Sequence, residues 1–234
     1  MENLMKQVFL ISRRNVPSHP TNSPQAERSS AYTGLVVSII LAIATAAIGY
    51  IVNFVDDHRK AKILKANTQV EKLYGPLYAY SVASRRAWDD LHTLAGRSTY
   101  YFDDRDMPNA EQVELWRRWM KEVLMPINKK MESTVVDNAQ LLDGDTIYPL
   151  FVDLISHVES YKATIANWKD TDDLALAKNR TRKANTAVIV YPIGLNECIE
   201  SRLRATLKRR NELESSWSGF FVSESGQPLA DGCS

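Results

Sequence analysis

Cysteine is nearly absent: Cys198 and Cys233 are the only two in 234 residues. Two thiols so far apart do not make the disulfide framework of a small secreted module, and Cys198 reads as a small buried residue. Glycine and proline are limited to nine each, which disfavours a many-turned all-β fold and leaves few glycines for a phosphate-cradling loop. Charge of one sign is also lacking. Lys+Arg is 29 against 28 for Asp+Glu, a net charge of +1, which makes nucleic acid a poor partner. No GxSxG, Walker, Rossmann or HExxH motif occurs. These gaps remove the common enzyme signatures, and no cofactor is implied. Ordinary shares of hydrophobic residues (44%) and charged residues (24%) remain, those of a folded chain.

What the chain does have is one long apolar run. Leu35 to Val55 reads LVVSIILAIATAAIGYIVNFV without a charge. A helix of that length spans roughly 30 Å, the hydrocarbon thickness of a bilayer. Tyr32, Tyr50 and Phe54 lie near its ends, where aromatic side chains suit the interface. A cleaved leader is the competing reading, but its charged n-region would run for about 34 residues, which is long. Arg59, Lys60, Lys62 and Lys65 follow the run, and only Arg28 lies in the stretch just before it. That bias predicts a cytoplasmic C-terminal side, although Lys6, Arg13 and Arg14 oppose it. Ser38, Ala42 and Ala46 recur every four residues, a spacing that lets two membrane helices approach closely.

The rest of the chain carries helical periodicity. Residues 1–30 read as a disordered segment with Pro17, Pro20 and Pro24, and 31–55 as the membrane helix. A helical domain follows over 56–213, with a flexible tail over 214–234. Ile63, Val70, Leu73, Leu77, Trp88 and Leu91 share one face, interrupted by Gly75–Pro76, where a kink or restart is expected. Asp106 is placed to cap the next helix, with Pro108 in its first turn. Val113, Trp116, Met120, Val123 and Ile127 then keep a three-four spacing up to a bend at Pro126. Ile147, Phe151, Leu154, Val158, Tyr161, Ile165 and Trp168 form the clearest seam. Ala187–Tyr191 is short, apolar and β-branched, and stays ambiguous between strand and helix. The fold class predicted is all-α: one transmembrane helix followed by a cytoplasmic antiparallel helical bundle.

Few residues carry candidate chemistry. Asp153 and His157 lie four apart on one helix face, as half a metal site requires, and His92 is the one candidate for completing it. A histidine bonded to a neighbouring helix is the plainer reading. Asp103, Asp104 and Asp106 lack the glycine and terminal glutamate of a calcium loop. Trp88, Trp116, Trp119 and Trp168 mostly fall on apolar stripes and read as core packing; the alternative is a ligand groove between helices, with Trp119, Arg117 and Arg118 as its place. Nine basic residues lie between Lys178 and Arg210: Lys178, Arg180, Arg182, Lys183, Arg202, Arg204, Lys208, Arg209 and Arg210. Glu197 and Glu200 are the only acids there, so the cluster suits anionic lipid heads.

The segments Leu73-Tyr-Gly-Pro-Leu77, Trp116-Arg-Arg-Trp-Met120 with Pro126 and Asn128, and His157-x-x-x-Tyr161 with Trp168 resemble a group of uncharacterised bacterial proteins. Those are small, helical and often anchored by one membrane helix. The resemblance implies a bacterial or phage-related source and an all-helical soluble part. It brings no activity and no catalytic residue. The function expected is a non-enzymatic, membrane-anchored interaction or scaffold module of a bacterial inner membrane. Its expected partners are the lipid bilayer, further copies of the chain and a cytoplasmic protein. Two alternatives stand beside it: a self-associating effector that perturbs the bilayer, and a metal- or ligand-dependent enzyme with its site among the helices.

Overall fold

The computed structural model describes residues 24–97, 100–144, 146–168, 180–215 and 233. The expected disordered segment up to residue 23, Lys178 and nearly all of the expected tail lie outside them. The described residues are mainly helical and contain no strand. Two units divide the chain, Met1–Phe54 and Val55–Ser234.

Helix α1 (Pro24–Gln69) runs for 46 residues and extends beyond both ends of the apolar run. In the first unit, residues 34–54 are exposed along their whole length. Among the described residues this is the one helix long and apolar enough to cross a membrane, with a mean hydropathy of 2.6 over its best window. Two of its hydroxyls are satisfied within the helix: Ser38 Oγ donates to the Gly34 carbonyl at 2.9 Å and Thr45 Oγ1 to that of Leu41 at 2.8 Å.

In the second unit, two prolines each follow a widened turn. A π-turn over Val70–Tyr74 leads into α2 (Gly75–Ala95), and a second over Met120–Leu124 joins α3 (Ala110–Trp119) to α4 (Met125–Asp137). The Gly75 N–H bonds to the Val70 carbonyl and the Met125 N–H to that of Met120, five residues back. Pro76 and Pro126 then stand in the first turn of the following helix, where a missing N–H is tolerated. The expected kinks are thus single-turn π-insertions. Gly75 is required at the first of them, because a Cβ there would stand 2.4 Å from the Val70 carbonyl oxygen.

The second insertion moves the buried face by one residue. After Met120 the core takes Leu124, Asn128, Met131 and Val135, while the expected Val123 and Ile127 are only half-buried. The seam on α5 (Pro149–Trp168) stands at its centre, where Phe151, Leu154, Val158 and Tyr161 are buried in the chain's own core. Helix α2 packs on α4 and on α7 (Leu195–Ser215), and α4 packs on α5. A four-residue helix α6 (Arg182–Asn185) precedes α7.

Three local readings change. Asn109, not Asp106, caps α3: its Oδ1 accepts the Gln112 N–H while Gln112 Oε1 accepts the Asn109 N–H, each at 2.9 Å. Asp106 instead pairs with Arg97 at 3.4 Å, and Pro108 stays outside the helix. Ala187–Tyr191 is neither strand nor helix. Finally, Cys198 is buried but bonded to Cys233, with Cα atoms 4.9 Å apart across a separation of 35 residues. Sequence distance hid a spatial contact made by the returning chain end.

Candidate functional site

Two connecting segments fold against α3 and α5 and border a cavity. The first, between α2 and α3, starts at Gly96, whose positive φ of 62° ends α2. Gln112 fastens it: Gln112 Nε2 donates to the Ala95 carbonyl at 2.8 Å, and the Tyr101 hydroxyl donates to the Gln112 carbonyl at 2.6 Å. Tyr101 and Phe102 are thereby laid against Trp116, with ring centroids 4.7 and 5.1 Å away. Trp88 meets the same indole edge-on at 5.7 Å.

The second segment, 181–191, is held by side chains from other helices. Trp116 Nε1 donates to the Asn185 carbonyl at 2.8 Å, and Arg117 Nε to Asn185 Oδ1 at 2.8 Å. Trp168 Nε1 donates to the Ala184 carbonyl at 3.2 Å, and His157 Nδ1 to that of Ile189 at 2.8 Å. These bonds give a short segment with few backbone partners of its own a fixed place over α3 and α5.

Between the two segments lies a cavity of about 500 Å³, within the usual range for small-ligand sites. Trp88, Trp116, Tyr101 and Phe102 make an aromatic wall, and Met120 and Leu124 of the second π-turn add aliphatic surface. Ser84 and Asn128, joined at 3.3 Å, bring buried polar atoms. His157, Tyr161 and Tyr191 line another side. Burial holds the His157 imidazole below its ordinary pKa, against the opposing pull of the Ile189 and Val190 carbonyls. Burial also raises the Tyr161 and Tyr191 hydroxyls well above the ordinary phenol range and pushes that of Tyr101 up to about 12. At neutral pH the ring is uncharged and the hydroxyls keep their protons. The formal charge at the cavity therefore comes from Arg85 and Arg182, and among the described residues no carboxylate lines it.

The proposed half metal site does not assemble. Asp153 is exposed, His157 faces the cavity, and His92 stacks with Trp88 at 4.6 Å and Tyr101 at 5.7 Å. Among the described residues no group of three or more His, Cys, Asp or Glu side chains could hold a metal ion. The aspartates before α3 form a turn, in which Asp103 Oδ1 accepts the Arg105 N–H at 2.9 Å. The expected groove lies one turn away from Trp119, whose indole donates to the Ala87 carbonyl at 2.9 Å. Arg117 stacks over Trp168 at 5.3 Å.

The basic cluster is divided. On α7, Arg204 pairs with Glu200 at 2.6 Å, Lys208 with Glu212 at 3.9 Å and Arg210 with Glu214 at 3.9 Å. Arg209 reaches Asp143 at 3.5 Å, and Arg202 lies 4.4 Å from the centroid of Tyr148. Arg180, Arg182 and Lys183 are exposed at the start of the cavity segment.

Ser84, Asn128 and Asn185 are buried polar groups that sequence spacing did not single out. Asn128 was hidden by the one-residue slip at the π-turn. Tyr100, Tyr101 and Phe102 were passed over as well, although three consecutive aromatic residues in a polar loop are a signal that could have found the site. Trp116, Met120, Asn128, His157 and Tyr161, quoted above for separate motifs, converge on this one cavity. Comparison with known protein families, with characterised proteins and with solved structures finds nothing that matches this chain.

Proposed function

We propose that this chain is a single-pass membrane protein whose helical part acts as a receptor for a small, largely apolar ligand, not as an enzyme. The observation that carries this reading is the cavity of about 500 Å³ with its aromatic wall and a few convergent polar groups. The chemistry around His157 favours binding over catalysis. Its Nδ1 is held by a backbone carbonyl, without the carboxylate that orients a catalytic imidazole. The seam on α5, which could have received a partner helix, is used internally, so a ligand-operated role gains over a plain scaffold.

We place the helical part, read as an antiparallel bundle, on the oxidising side of a bacterial inner membrane. The Cys198–Cys233 bond supports that side. It reverses the orientation that the flanking charges favour, and those charges are nearly balanced. Lys6, Arg13, Arg14 and Arg28 precede the span, and Arg59, Lys60, Lys62 and Lys65 follow it.

Filling the cavity tests the receptor reading. Full-length protein in lipid nanodiscs is screened with apolar small molecules by tryptophan fluorescence and thermal shift. A ligand at a hundred times its Kd should stabilise the fold by about 2.7 kcal/mol. Leu124→Phe places a larger ring in the cavity, and binding should be lost while the helical signal stays. Saturable binding that Leu124→Phe leaves unchanged would place the ligand elsewhere and end this reading.

A further inference from the structure

We propose that the cavity takes a ligand with a flat aromatic body and one anionic group, the anion seated against Arg182 at the mouth. This rests on the receptor reading and specifies its ligand class.

Charge decides the sign. Arg85 and Arg182 both line the cavity. Arg85 is already engaged, by Glu197 at 2.8 Å. Arg182 is exposed, and no carboxylate among the described residues pairs with it. The sequence explains why: from Arg180 to Asn196 there is no aspartate or glutamate. A guanidinium offers a planar fork that matches carboxylate, sulfonate or phosphate oxygens. The same aromatic walls could in principle receive a quaternary ammonium. With Arg85 offset by Glu197, Arg182 leaves a net positive charge among the described lining residues, which makes that ligand electrostatically unfavourable here.

Shape decides the body. The Trp116 indole is met by Tyr101, Phe102 and Trp88 at tilted or edge-on angles of 43°, 86° and 82°. Trp88 keeps 38% of its surface exposed, although an indole of that size gains from cover. A planar conjugated ring can complete such an arrangement by offset or edge contact, each worth more than its buried area alone. Ser84 and Asn128 of the same lining supply hydrogen-bonding atoms for a neutral polar substituent.

A matched pair of dyes separates these contributions. Anilinonaphthalene sulfonate and the uncharged N-phenylnaphthylamine share one ring system and differ in the anionic group. Both are titrated against full-length protein in zwitterionic nanodiscs, with energy transfer from tryptophan as the readout and empty nanodiscs subtracted. The sulfonate should bind at least tenfold more tightly than the neutral dye. Arg182→Gln should remove that preference, and Arg182→Lys should keep only part of it. Arg182 is exposed, so unchanged circular dichroism and melting should accompany the loss. A long-chain fatty acid, which carries the charge without the ring, should displace the sulfonate at least tenfold more weakly than 1-naphthoic acid, an aromatic acid of matching ring system, does. Equal affinity for the two dyes, or a preference that survives Arg182→Gln, overturns the assignment of the anion. A fatty acid that competes as well as the aromatic acid overturns the assignment of the ring. If neither dye shows saturable transfer, the receptor reading itself falls.

Discussion

His157 holds the cavity segment through a bond from Nδ1 to the Ile189 carbonyl, and does so from a buried position that disfavours its charged form. The pKa of the folded state is lowered, so between that value and the ordinary one of about 6.5 the unfolded chain binds more protons than the folded chain. Stability therefore rises with pH through this window and falls as the solution is acidified below about 6.5. Asparagine at this position keeps a donor near Nδ1 and cannot be protonated. In thermal melts at pH 7 and pH 5, the wild type should lose more than His157→Asn does. An equal loss in both would remove His157 as the source of acid sensitivity. The sequence reading favoured a histidine bonded to a neighbouring helix, and the bond goes instead to the backbone of the segment 181–191. The sequence could not name the partner, because Ile189 contributes only its backbone.

At the scale of elements, periodicity showed which segments are helices and failed where the helix itself changes. Three-four spacing selected Val113, Trp116 and Met120 correctly, then continued to Val123 and Ile127 while the π-turn moved the buried face to Leu124 and Asn128. Proline announced a disturbance at both places. Only backbone geometry showed that the disturbance is an extra residue rather than a bend. Gly75→Ala tests the first π-turn. With a Cβ placed 2.4 Å from the Val70 carbonyl oxygen, the turn must shift, at a cost of about 1–3 kcal/mol typical of overpacking. Denaturant unfolding should show that loss, whereas alanine in an ordinary helix interior would stabilise relative to glycine. A stabilised Gly75→Ala would mean that the turn relaxes freely.

For the whole molecule, the sequence showed the all-helical class and the apolar span. It missed the one covalent link that reaches across the second unit. Closing a loop of 35 residues stabilises a fold by about 3–4 kcal/mol in the chain-entropy account. Cys198→Ser and Cys233→Ser should therefore each cost up to that amount, and the double variant no more than either alone. In cells, the two thiols should resist a maleimide reagent until a reductant is added. They should then react with a membrane-impermeant form of it in intact spheroplasts. Thiols that label without reduction, and only after lysis, would return the helical part to the cytoplasm.

The second π-turn also gives the cavity wall slack in chain length. The turn holds one residue more than an α-helical turn, so removing a residue such as Lys121 would close it to regular helix and leave Leu124 and Asn128 on the same face. The same deletion in the regular helix beyond it meets no such slack and would rotate everything downstream by about 100°. A codon can thus be lost at this turn with the wall's remaining side chains still in register, whereas one turn further on the same loss would scramble the core.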